Sequence, residues 1–250
     1  MEEVCCMTYI SKYTSEAKVE QEVQFEISAE TSPSSDEVLA MIERVEKEID
    51  ARKLGWKDGG SYGDGYDATL YIDVPENAED ECGFMRVYLN DYPILSVSSL
   101  QRRISDELTD TPVWEELKQG YYENWEEESD TDYMLITTTG KCGQRYGIGF
   151  LFYSSKKPKA GVARLKATFT YSYNIPPSIL EEYATLKVAI QVLKAAVAAG
   201  EPTRLSAYTG GDFQSYVPSQ MEEQIREWER RIAEIEHNYF PEVPCGPLSF

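Results

Sequence analysis

The stretch that most constrains this chain runs from Ala163 to Gly200, where an alternating strand stops at Asn174-Ile175-Pro176-Pro177 and a long helix rich in Ala, Val and Leu follows. Read as heptads, Ile179, Tyr183, Leu186, Ile190, Leu193 and Val197 form one apolar stripe, and Leu180, Ala184, Val188 and Val192 form a second beside it. Two stripes need two coverings, so the spacing predicts a helix with more apolar surface than one domain readily hides. Ser178 and Glu181 have capping-box spacing, and Gly200 and Pro202 mark the far end. At ~1.5 Å per residue the helix spans on the order of 33 Å, a membrane's hydrocarbon thickness. Glu181, Glu182, Lys187 and Lys194 argue against that location.

With 42% apolar and 27% charged residues, the 250 residues have the composition of one large or two small globular domains. Neither a secretory leader nor an uncharged apolar run of ~18 residues is recognisable, which predicts an intracellular protein without a membrane anchor. Cys5, Cys6, Cys82, Cys142 and Cys245 include no C-x-x-C and have only His237 to join them, so free thiols in a reducing compartment are expected and no metal or cofactor. The net charge of -20 weighs against a protein that grips nucleic acid through phosphate neutralisation. It leaves open plain solubility, adaptation to salt or heat, or a surface past which DNA slides.

Along the chain, Val23, Phe25 and Ile27 alternate like one strand in a loosely organised segment 1–32. After Pro33 a helix is expected to residue 54, capped by Ser34 or Ser35, with Val38, Ile42, Val45 and Ile49 inward and Glu43, Arg44, Glu46, Lys47 and Glu48 solvated. The loop Asp58–Asp67 lacks EF-hand spacing and a P-loop ending, so a hairpin or plain loop is expected. Period-two runs at Leu70–Val74, Met85–Leu89, Tyr92–Val97, Tyr133–Ile136, Gly147–Tyr153 and Arg164–Tyr171 predict strands, with an acidic, aromatic excursion near 104–132. A final helix near 219–237 carries Met221, Ile225, Trp228, Ile232 and Ile235 in four-three spacing, for a neighbour within the subunit or on the next one. Residues 239–250, with three prolines, form an extended arm that either folds back or inserts into a partner.

Nucleophilic catalysis has little support, because the single histidine lies among charges and no G-x-S-x-G occurs. Aromatics beside carboxylates suit sugars, so Trp114 and Trp125, with a pair such as Glu116 and Glu127, make a carbohydrate-binding or glycoside-hydrolysing domain the alternative function.

The order of elements resembles the head-tail connector, or adaptor, family of tailed double-stranded-DNA viruses. It rests on the capped helix Ser35–Leu54, Tyr92-Pro-Ile-Leu-Ser-Val-Ser-Ser-Leu-Gln-Arg102, a strand ending Phe169-Thr-Tyr171, Ile175-Pro-Pro-Ser-Ile-Leu-Glu181 and the alanine-rich helix, over roughly Pro33 to Gly200. The resemblance implies a virion structural protein and no enzyme: commonly twelve copies in a ring beneath the portal protein, at the virion neck, made in the host cytoplasm. Such a ring lets DNA pass without specific binding and joins tail or neck stopper proteins. A stopper or tail-terminator of the same virion is a related alternative.

The expectation is therefore an α+β subunit with a helical core (helices near 35–54, 178–199 and 219–237), a small, mostly antiparallel sheet subdomain and extended termini. Its domains would be an extension at 1–32, a connector-like core at 33–200, a loop and helix at 201–238 and an arm at 239–250. The expected ring interface is Leu180, Ala184, Val188, Val192, Trp228 and Ile232; the portal-binding arm is Tyr239, Phe240, Pro241, Val243, Leu248 and Phe250.

Overall fold

The computed structural model describes residues 11–81, 83–89, 92–105, 111–120, 131–141, 143, 145–153, 156–199 and 218–241. Its elements, in chain order, are α1 (Glu16–Val23), α2 (Ser35–Ala51), β1 (Tyr66–Val74), β2 (Met85–Tyr88), β3 (Ile94–Arg103), β4 (Trp114–Glu116), β5 (Tyr133–Thr139), β6 (Arg145–Phe152), β7 (Gly161–Tyr171), α3 (Pro177–Ala199) and α4 (Pro218–Tyr239). They fall into two compact units: a helical one from 1–54 and 175–250, and a sheet one from 55–174. The expected division, a continuous core over 33–200, is replaced by a helical unit drawn from both ends of the chain with the sheet unit inserted in it. The chain leaves and returns at one point, where the Ile175 N–H donates to the Leu54 carbonyl at 3.0 Å.

Among the described residues, all seven strands join one antiparallel sheet curled into a half-barrel. This corrects the expected helical core with a small sheet: the protein is sheet-rich. The cause lies in the stretch between α2 and α3, where period-two runs each add a strand and a short one, β4, forms inside the acidic excursion. Strand order is β1-β7-β3-β6-β2, with β4 beside β3 and β5 beside β6. Leu165, Ala167 and Phe169 of β7 face inward together with Leu100, Phe150 and Phe152, all buried, and Tyr133 packs edge-on against Phe150 at 5.7 Å between ring centres. Gly149 is required where β2 crosses β6, since a Cβ there would lie 2.3 Å from the Val87 carbonyl oxygen.

In the helical unit, Val19 and Val23 are one turn apart and both buried in helix α1, and Phe25 and Ile27, expected to continue a strand from Val23, follow the helix in a bend and irregular backbone. A spacing of four outweighs a three-residue alternation once a neighbouring helix offers an apolar face. In α2, Val38, Ile42, Val45 and Ile49 are buried as expected. Glu37 accepts from the Ser34 N–H at 2.8 Å, which fixes Ser34 as the cap. The α3 helix begins at Pro177, whose predecessor Pro176 accepts from the Ile179 and Leu180 N–H groups at 3.0 and 3.1 Å. Glu181, expected to cap that turn, pairs with Lys18 at 2.7 Å.

Glu46 also departs from expectation: it is 1% exposed, not solvated. Its carboxylate accepts from the backbone N–H groups of Lys12, Tyr13 and Thr14 at 2.7, 2.6 and 3.3 Å. One turn on, Asp50 accepts from the Lys12 ammonium at 2.8 Å and the Tyr13 hydroxyl at 2.6 Å. These bonds fasten the segment before α1 to α2. Removing the carboxylate leaves buried donors without an acceptor, so Glu46→Ala should lower unfolding free energy by about 3 kcal/mol. Urea unfolding with an unchanged m value checks this.

Candidate functional site

The surface expected to act is the apolar face of the helices, and the structure shows how much of it remains available. Leu180, Ala184, Val188 and Val192 are each 0% exposed within a single copy. The α3 helix packs against α1, α2 and α4, which leave Val197, at the far end of the first stripe, exposed. Thr14 and Thr185 hydroxyls close one of these contacts at 2.7 Å. The four residues expected to meet a neighbouring subunit are thus core residues. The expectation failed because it counted coverings without α1, which lies in the segment expected to be loosely organised.

The α4 helix is different. Met221, Trp228 and Ile235, spaced by seven, are buried, whereas Ile225 and Ile232, the intervening positions of the same heptad, are only half-buried. Trp228 therefore belongs to the core, and Ile232 is the one residue of the expected interface that keeps apolar surface outward. At the start of α4, Val197, Met221 and Ile225 floor a groove of about 350 Å³. Its rim carries the ion pairs Lys194–Glu229 at 3.0 Å and Arg226–Glu222 at 3.4 Å.

The other end of α4 is pinned by a network that the sequence did not disclose. Arg52 and the Tyr183 hydroxyl both donate to one oxygen of Glu236, each at 2.9 Å. Phe240 is 1% exposed; its ring meets Tyr183 at 4.7 Å between ring centres, and the Arg52 guanidinium carbon lies 4.7 Å from the Phe240 ring centre. Of the expected arm, Phe240 is therefore a core residue and Tyr239 and Pro241 are half-buried, while Val243, Leu248 and Phe250 lie outside the described residues. A helix ending in Tyr-Phe-Pro signals this anchor only after Arg52, at the end of α2, is known to be nearby.

Burial and the hydrogen bond to Glu236 raise the Tyr183 hydroxyl far above its usual range. Burial pushes Glu236 up, but donors from Arg52 and Tyr183 outweigh it, and its carboxyl titrates below the ordinary 4.5.

The sheet unit carries the other residues singled out. Glu116 on β4 accepts from Ser99 at 3.0 Å and Gln101 at 2.8 Å; its supposed partner Glu127, and Trp125, lie outside the described residues. Trp114 meets Tyr71 at 5.8 Å. The glycine-rich loop leads from α2 into β1 and folds on itself, with Asp64 accepting from the Ser61 N–H at 2.6 Å. Among the described residues no group of three or more His, Cys, Asp or Glu side chains is placed to hold a metal ion, and no helix is long and apolar enough to cross a membrane.

Compared with known proteins, the chain matches no family model and no curated protein.

Because the folded state lowers the Glu236 pKa, its contribution is present above the unfolded-state value and is lost as pH falls through the folded one. Stability should therefore decline below about pH 4.5, and Glu236→Gln should lose less between neutral pH and that window. Melting temperatures of both proteins across that pH range provide the comparison.

Proposed function

We propose that the protein is a head-tail adaptor of a tailed double-stranded-DNA virus, forming a ring under the portal protein that extends the DNA channel and joins the capsid to the tail. The observation that carries this reading is the order of elements along the chain. The capped helix α2, the sheet entered through Tyr92-Pro93 and left at Phe169-Thr-Tyr171, the Ile175-Pro-Pro corner and the alanine-rich α3 follow one another as in the resemblance. The net charge of -20 fits a channel wall along which DNA moves without adhering.

With α3 covered by its own copy, the ring contact falls to the outward side of α4. Ile225 and Ile232 are half-buried there, and Val197 is 41% exposed at the adjoining end of α3. A ring needs a heterologous contact, in which one patch meets a different patch of the next copy. A helix with its second heptad position unfilled supplies one side of such a contact. Neck stopper and tail-terminator proteins share this mode of work and differ in partner, so pull-down with portal against tail components separates those readings.

Light scattering and negative-stain images of the purified protein, alone and with portal, test the proposal. A particle near twelve subunits is expected from the family's commonest copy number, and a persistent monomer under both conditions rules the reading out. The double variant Ile225→Glu, Ile232→Glu should reduce the particle to monomers and keep the melting temperature within about 3 °C, because neither residue is fully buried.

A further inference from the structure

The outward face of β1, β7, β3 and β4 has a composition that neither packing nor ring assembly uses. Register places Tyr71 beside Lys166, Lys166 beside Gln101, and Gln101 beside Glu116, one row across four strands. Tyr71 is 61% exposed. Its ring and that of Trp114 are inclined at 50° with centres 5.8 Å apart, a shallow trough, and the Lys166 ammonium lies 5.9 Å from the Tyr71 ring centre. Behind this row the face continues in paired hydroxyls, Thr69 with Thr168 at 3.1 Å and Ser96 with Thr170 at 2.8 Å.

We infer that this face is a carbohydrate-binding platform for a neutral polysaccharide. Sugars offer an apolar C–H face to an aromatic ring and a periphery of hydroxyls that both donate and accept. Tyr71 and Trp114 supply the ring surface, Lys166 and the Gln101 amide supply donors, and Glu116 with the Gln101 carbonyl supplies acceptors. Four strands at ~4.8 Å spacing give a track about 14 Å wide on the outer side of the curled sheet, along which an extended chain of sugar rings can lie. A protein partner would call for an apolar centre, and aliphatic side chains are missing from these rows. Polyanions are disfavoured by the chain's net charge of -20. The platform is independent of the ring reading, since it uses no residue of the helical unit.

The test is depletion of the full chain from solution by insoluble cellulose, chitin and mannan, with heparin-agarose as the polyanion control. The expected result is retention on at least one neutral polymer, insensitive to salt and reversed by a soluble oligosaccharide of the same sugar. Tyr71→Ala should weaken it about tenfold, as befits loss of one stacking surface, and Tyr71→Phe should preserve it. Lys166→Met gives a second reading on the same row if Tyr71→Ala melts early. Failure to bind all three neutral polymers overturns the inference, as does salt-labile retention on heparin alone or undiminished retention by both Tyr71→Ala and Lys166→Met. The adaptor reading stands or falls separately on particle mass.

Discussion

Covering α3 is the constraint on which the helical unit depends. Eleven of its residues are buried, among them Tyr183, Leu186, Val188, Leu193 and Ala196. A helix apolar on nearly every side is stable in water only when other helices surround it. Here α1 and α2 come from before the inserted sheet, and α4 follows α3. The polar ties sit at the seams between these elements: Glu46 with the backbone ahead of α1, Thr14 with Thr185, and Glu236 with Arg52 and Tyr183. Each converts a buried polar group into a positional constraint, so the unit gains a unique register as well as cohesion.

This coverage also redirects attention from α3 to α4. Among the described residues of the helical unit, α4 keeps Ile225 and Ile232 only half-buried, at alternate heptad positions beside a rim of paired charges. In the sheet unit the division is cleaner. One face of β7 buries Leu165, Ala167 and Phe169, and the other presents Lys166, Thr168 and Thr170 between the side chains of β1 and β3.

Much of this was legible in the sequence because periodicity is a local property. The strands from Leu70 to Tyr171, the capped α2, the Pro176-Pro177 corner and both long helices read directly from spacing. What could not be read depends on neighbours remote in sequence. Val19 and Val23 form a helix because the helical unit needs a further wall, and Glu46 is buried because a segment more than thirty residues away brings three N–H groups to it. The second stripe of α3 was identified correctly as apolar and assigned to the wrong owner, since a sequence shows how much surface must be hidden and not which chain hides it. The platform on the sheet was partly visible in Trp114, but Tyr71 joins it only through the register of β1 with β7. The extent of the sheet was underestimated mainly because β1, β3, β5 and β7 run past the period-two stretches that marked them, as far as Tyr66, Arg103, Thr139 and Gly161, with the three-residue β4 added within charged sequence.

The point where Leu54 meets Ile175 has a bearing on how the molecule is made. On the ribosome, the sheet unit is a continuous stretch that can complete its pairing as soon as β7 has emerged. The first two helices, synthesised earlier, must by contrast wait with their greasy sides uncovered until α3 and α4 appear. Nascent chains are thus most vulnerable to aggregation early, through α1 and α2, and a trapping chaperone would find its ligand there. The same junction makes the insert a cassette, exchangeable over evolutionary time for another with closely spaced ends while the helices around it stay unchanged.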